Sequence, residues 1–410
     1  MDRFELTYFY GPEDDYIVKE ETVEAIARAG FTLAPLDSPD PQVNKRALRL
    51  FQKHGLRAMV RDRRLSHLIC TDDPEVDRLL GDIIDDYREF DNIAGWMLQD
   101  EPAAHHFPRL AQLTDAIRRL DPGREAYVNL FPNYCSAQGL ECRDYEEYLD
   151  RFIAEVKPPY LSYDHYHFVG RFSGESMMDV PADADERERE IILAAKRTED
   201  RPSFFANLEI VREKGLAHGL PLMVIILLTE HGEYRNLCEA EIRWELYSCL
   251  AYGAKRLSYF TYWTPEWEEV WRFTNAMANR DGTLTQHYQD VCAINPGLLR
   301  LGRELYGKTS EAVYHLRDNG EEVCRFVPHG DLRAVRGEGD AVVGFFDDGS
   351  FLVVNKDYKQ AAVWELEAPA LEFFSEEDGG WRPAGDAPAL TAGNVLTLPA
   401  GGGLLLRRAL

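Results

Sequence analysis

Three apolar runs in this chain end on acids. Ile93 to Leu98 runs into Gln99-Asp100-Glu101-Pro102, Pro221 to Thr229 runs into Glu230-His231, and Pro159 to Tyr163 runs into Asp164-His165-Tyr166-His167. A turn that only reversed the chain would be served by Asn-Gly or Asp-Gly. Carboxylates at these points suggest chemistry. Two facing carboxyl groups divide the work of glycosidic cleavage: one protonates the leaving oxygen, the other attacks carbon or activates water. A separation of about 5–5.5 Å gives retention of configuration, and about 6.5–9.5 Å gives inversion.

The elements that position these acids follow from hydrophobic periodicity. Up to about residue 307, short apolar strands alternate with helical stretches. The strands are read at 4–12, 31–37, 56–62, 93–102, 125–133, 159–168, 221–232 and 255–265. Helices are read at 17–30, 41–54, 74–89, 107–123, 144–156, 184–218, 239–254 and 286–306. Pro108 opens the fourth helix and Pro122-Gly123 closes it. The strands are continuous apolar runs, as expected of parallel strands covered on both faces. Eight βα units predict an α/β fold, a (β/α)8 or TIM barrel. An open doubly wound sheet competes, but no G-x-G-x-x-G follows the first strand. After residue 307 the pattern changes to short strands broken by Gly and Asp, with a hairpin turn at Asp348-Gly349. The expected organisation is therefore a barrel over 1–307 and an antiparallel β-sandwich over 308–410.

In such a barrel the chemistry sits at the C-terminal strand ends. Those ends carry Tyr8, Tyr10, Asp37, Asp62, Asp100, Glu101, Asn129, Asn133, Asp164, His165, Tyr166, His167, Glu230, His231, Tyr259, Tyr262 and Trp263. Strands four and seven face each other across the mouth, which pairs Glu101 with Glu230. Trp96, Trp263 and Trp267 are candidate sugar platforms, although a core role for any single ring is at least as good a reading.

The ends "QDEP" (99–102) and "LLTEH" (227–231) resemble those of the large retaining glycoside hydrolase group with its acid/base on strand four and its nucleophile on strand seven. "LAYGAKRLSYFTYWTP" (250–265) is similar to the strand-eight region of bacterial β-galactosidase-like barrel hydrolases. The resemblance implies Glu101 as acid/base and Glu230 as nucleophile. Substrate contacts would come from Tyr8, Tyr10, Asp100, Asn129, Asp164, His165, Tyr166, His231, Tyr262 and Trp263. The chain departs from the group at Asp100, where the usual residue is Asn. A second carboxylate there adds negative charge beside Glu101, which suits a general acid.

Plainer roles stand beside these. Glu101 is also an acid ahead of a helix N-terminus, and Glu230 a loop acid within reach of Arg235, with Glu233 a rival for its place. Asp164 is the third carboxylate that could partner Glu101. Two other functions compete: a carbohydrate-binding barrel without turnover, and a metal-dependent barrel enzyme using Asp164 and the neighbouring histidines. The His and acid spacing matches no metal signature, so neither metal nor cofactor is expected.

Formal net charge is −25, which disfavours nucleic acid and anionic membranes as partners. The longest apolar run, Leu220 to Leu228, is too short to span a bilayer. The seven cysteines (70, 135, 142, 238, 249, 292 and 324) are scattered and form no C-x-x-C pair. With no leader-like start, they predict a cytoplasmic enzyme acting on a small oligosaccharide or glycoside. The oligomeric state is not encoded in any of these features.

Overall fold

The computed structural model describes residues 1–69, 75–170, 185–194, 200–266, 268, 271–318, 320, 322–386 and 389–409. Cys70, Trp267 and part of the helix read over 184–218 lie outside them.

Eight strands alternate with helices: β1 (Glu5–Tyr8), β2 (Leu33–Leu36), β3 (Arg57–Val60), β4 (Ile93–Asp100), β5 (Glu125–Asn129), β6 (Leu161–Asp164), β7 (Leu222–Leu227) and β8 (Arg256–Phe260). They form two four-stranded parallel sheets, ordered β1-β8-β7-β6 and β2-β3-β4-β5. Backbone bonds also join the sheet ends: Thr32 N–H donates to Leu6 O (3.0 Å), and Leu130 N–H donates to Ser162 O (2.8 Å). Each strand lies within the segment its apolar run marks out. Helix starts follow local chemistry. Asp40 accepts from Gln42 N–H ahead of Pro41, and Asp144 accepts from Glu147 N–H, where the helices Pro41–Lys53 and Tyr145–Val156 begin.

The inward side chains make an apolar cluster that includes Leu33, Met59, Met97, Tyr127 and Met223. At the N-terminal strand ends, fully buried Arg256 is paired with Glu5 and with Glu125, the latter at 2.8 Å. These ion pairs join the first residues of β1, β5 and β8.

The C-terminal segment adds β9 (Ser310–His315), β10 (Ala334–Gly337), β11 (Ala341–Phe346), β12 (Phe351–Asn355), β13 (Ala362–Glu367), β14 (Leu371–Ser375), β15 (Gly380–Pro383), β16 (Val395–Leu398) and β17 (Gly403–Arg408). They form two antiparallel sheets, β10-β13-β16 and β15-β14-β17-β12-β11-β9. Both contribute to one core around Val343, Phe351, Trp364, Phe373 and Leu398. The β11–β12 turn has Gly349 at φ 82°, a conformation open to glycine at little cost.

The chain separates into two compact units. The first holds 1–166, 213–231 and 256–288; the second holds 167–212, 232–255 and 289–410. The first unit contains all eight parallel strands. In the second, the helix Glu239–Ala251 is buried nearly all round, so it lacks the polar face an exposed βα helix would carry. Among the described residues, no helix is long and apolar enough to cross a membrane.

Candidate active site

β4 delivers its acids through a kink. Its register with β5 shifts between Met97 and Gln99, so the strand re-aims its last residues and Asp100 falls opposite Asn129. Gly95 allows β4 and β5 to approach: a Cβ there would lie 2.3 Å from Glu125 O. Trp96 is buried on the other side of the strand, its indole N–H donating to Asp121 (2.9 Å).

Asn129 is the hub of the site. Its Oδ1 accepts from the Ser162 hydroxyl (2.9 Å), which turns Nδ2 toward the acids. Nδ2 donates to Asp100 Oδ1 (3.1 Å) and to Asp164 Oδ1 (2.8 Å). Burial pushes the Asp164 carboxyl up to about 7, and the nearby Asp100 charge adds to the rise. Burial also raises Asp100, against the pull of Asn129 and Arg61. One amide thus holds two carboxyl groups that keep a proton more readily than free aspartates.

Glu101 follows in the left-handed region, φ 44°. Its N–H donates to Asn129 O (2.8 Å), and Pro102 O accepts from the Tyr148 hydroxyl (2.8 Å). Left-handed backbone costs a non-glycine residue roughly 1–2 kcal/mol, so the surrounding bonds hold Glu101 in a turn it would not take alone.

At the end of β7, Leu228 and Thr229 N–H both donate to Phe260 O (2.9 and 2.8 Å). The Thr229 hydroxyl accepts from Thr261 N–H (2.9 Å), just after a cis Phe260–Thr261 peptide. Glu230 bridges to Thr274, whose N–H donates to Glu230 O (2.9 Å). Glu230 Oε2 accepts from Asn275 Nδ2 (2.7 Å) and from the Thr274 hydroxyl (3.1 Å). His231 Nδ1 donates to Thr229 O (2.7 Å), and its ring stacks on Phe273 (5.1 Å, 18°).

Tyr166 connects these parts. Its hydroxyl donates to Asp164. Burial raises its phenol well above the ordinary value, and the charges of Asp164, Asp100 and Glu101 add to the effect, together with Tyr134. The same ring packs on Phe260 (5.3 Å) and His231 (5.8 Å). Tyr166, two residues after Asp164, thus packs against the residue that follows Glu230.

The other expected residues divide. His165 is fully buried, edge-on to Tyr134 (5.0 Å). Tyr10 is half-buried and lines a cavity of about 400 Å³ with Phe9, Tyr16, Glu13 and Asp37. Tyr8 and Tyr262 are buried against each other (4.9 Å) and against Phe31. Trp263 is 1% exposed, its ring 4.7 Å from Tyr16. Glu233 pairs with Arg201 (3.4 Å), and His167 stacks on Trp244 near Asp200; these residues lie in the second unit. Asp62 is tied to Arg64 and Tyr87. Among the described residues, no group of three or more His, Cys, Asp or Glu side chains could hold a metal ion.

Sequence reasoning missed Arg61, Ser162, Thr274 and Asn275. Arg61 directly follows β3, beside Asp62, and sits 3.6 Å from Asp37, so its position was a usable signal. Thr274 and Asn275 lie where no periodicity marks an element, and nothing in the sequence flags them.

No protein-family model matches the chain, and no curated protein matches it. Solved structures do. The β-galactosidase of Bacillus circulans sp. alkalophilus is similar over 99% of this chain and 99% of its own, with a TM-score of 0.61 at 10% identity. A catalytic mutant of Gan42B, a GH42 β-galactosidase from G. stearothermophilus, is similar over 99% of this chain and 98% of its own, with a TM-score of 0.61 at 8% identity. The β-galactosidase of the psychrophilic Marinomonas ef1 is similar over 75% of this chain, with a TM-score of 0.53 at 11% identity, and this chain spans 62% of that enzyme's length. At such identities the likeness establishes a shared fold, one that extends through the C-terminal sheets.

Proposed function

We propose that this chain is a retaining glycoside hydrolase in which the two parallel sheets close into one (β/α)8 barrel, with Glu101 as acid/base and Glu230 as nucleophile. The hydrogen bonds from Thr32 to Leu6 and from Leu130 to Ser162 support closure, because they join the edges of the two sheets. The amide of Asn129, which holds both Asp100 beside Glu101 and Asp164 at the end of β6, carries the functional reading, and the packing of Tyr166 on His231 supports placing Glu230 beside them.

In the first step a Glu230 oxygen attacks the anomeric carbon as the bond to the leaving oxygen breaks. Glu101 gives its proton to that oxygen. In the second step Glu101, now a carboxylate, takes a proton from water as the water oxygen attacks the same carbon and releases Glu230. Asp100, Asn129, Asp164, His165, Tyr166 and His231 bind sugar hydroxyls around the reacting carbon. The cavity beside Tyr10 gives room for a sugar ring. Tyr8, Tyr262 and Trp263 hold the wall behind it by packing. The acidic chain favours a small neutral glycoside over a polyanionic one, and the thiols at Cys142, Cys238, Cys249, Cys292 and Cys324 suit a cytoplasmic setting.

A panel of aryl glycosides, including β-galactosides, tests the reading. Glu101→Gln should lower kcat by about 10³-fold or more, and least for good leaving groups, which need no proton. Glu230→Ala should be inactive, and azide should restore turnover by attacking the anomeric carbon in its place to give a glycosyl azide. Sugar binding with no turnover by the unaltered protein on any substrate would make it a binding barrel, and full activity of either variant would remove that residue from the mechanism.

A further inference from the structure

We infer that Asn275 and Thr274 are positioning residues that clamp Glu230 for attack. The inference rests on reading Glu230 as the nucleophile.

The clamp is built from several independent contacts. Thr274 N–H holds the Glu230 carbonyl (2.9 Å), so the backbone of the acid is fixed. The Thr274 hydroxyl (3.1 Å) and Asn275 Nδ2 (2.7 Å) both donate to Oε2, so one carboxylate oxygen is anchored and the plane of the group is set. Two donors on one oxygen resist rotation of the carboxylate more than one donor would. Phe273, one residue before this pair, stacks on His231, one residue after Glu230. The clamp is itself anchored: Asn275 O accepts from His287 Nδ1 (2.6 Å), and Ala276 O accepts from the Thr285 hydroxyl (2.6 Å).

A competing explanation for Asn275 is conformational. Its φ is 58°, and asparagine is one of the few residues that tolerate the left-handed region. Glycine tolerates it as well and has no amide. Asn275→Gly therefore keeps the backbone and removes only the hydrogen bond, which separates the two explanations.

The experiment measures kcat, KM and thermal midpoint for Asn275→Gly, in the native background and in Glu230→Ala rescued by azide. A positioning role predicts that kcat falls about 10- to 100-fold, the usual weight of a hydrogen bond to a charged group, with KM and the midpoint little changed. It also predicts no effect in the azide-rescued background, where the clamped carboxylate is gone. Unchanged kcat in Asn275→Gly overturns the clamp, and so does an equal loss in the rescued background, which marks a structural role. Thr274→Ser, which keeps the hydroxyl, should retain activity that Thr274→Val loses; equal losses in both count against the clamp. Full activity in Glu230→Ala, or no rescue by azide, overturns the nucleophile assignment and the clamp with it. An inactive, azide-rescued Glu230→Ala beside a fully active Asn275→Gly overturns the clamp alone.

Discussion

Asp164 is the residue whose surroundings most alter its chemistry. Its carboxyl sits among Asn129, Tyr166 and Asp100 and titrates near 7, where an exposed aspartate would titrate near 4. The folded protein therefore keeps a proton that the unfolded chain gives up. The sign follows: this group makes stability fall as pH rises from about 4 to about 7, and the decline stops above that, at about 1.4 kcal/mol per unit of displacement. Asp164→Asn removes the titration, so the denaturation midpoint at pH 8 should rise relative to that at pH 5, compared with the unaltered protein. An unchanged gap would mean that Asp164 titrates as an ordinary acid. Asp100 shares the amide of Asn129 and is raised by the same burial, so this strand end sets a second titratable acid beside Glu101 where an Asn-Glu pair would set a neutral amide.

At the scale of the element, β4 and the turn after it determine where Glu101 stands. The close approach at Gly95, the register shift opposite β5 and the left-handed turn at Glu101 act in sequence along seven residues. Gly95→Ala tests whether that geometry matters. Its new methyl would meet Glu125, whose carboxylate is held by Arg256, so relief has to come from parting the strands. The expected cost is about 1–3 kcal/mol in urea unfolding, with a fall in kcat as Asp100 and Asn129 move out of register. Full activity with full stability would show that the strands part at no cost to the site.

At the scale of the whole molecule, the change of sequence character near residue 307 and the grouping of packed segments are separate matters. The second unit combines the C-terminal sheets with 167–212, 232–255 and 289–307. Within it, the Trp244 indole donates to Lys356 O (3.0 Å), and the Tyr252 hydroxyl bonds His315 Nε2 (2.8 Å). A Cβ on Gly344 would lie 2.0 Å from Ala251 O, so β11 rests directly on the helix Glu239–Ala251. A chain ending at residue 307 would expose that helix. We expect it to aggregate on expression, and a soluble, cooperatively folding 1–307 fragment would show that the C-terminal sheets are an accessory.

The sequence by itself determined the eight βα repeats, the antiparallel C-terminal segment and which strand ends carry acids. These depend on short-range physics: a period of two or 3.6 sets burial, and glycine, proline and capping residues punctuate it. Tertiary structure decided what those residues meet. Asn129 reaches Asp100 and Asp164 across 29 and 35 residues, and Asn275 reaches Glu230 across 45. No local pattern records such pairings. The same applies to Tyr8, a strand-end residue that packs against Phe31 and Tyr262 while Phe9 joins the inner cluster, because a strand turns alternate side chains to opposite faces. Periodicity located the ends of the strands, and long-range packing chose which side chains share the site.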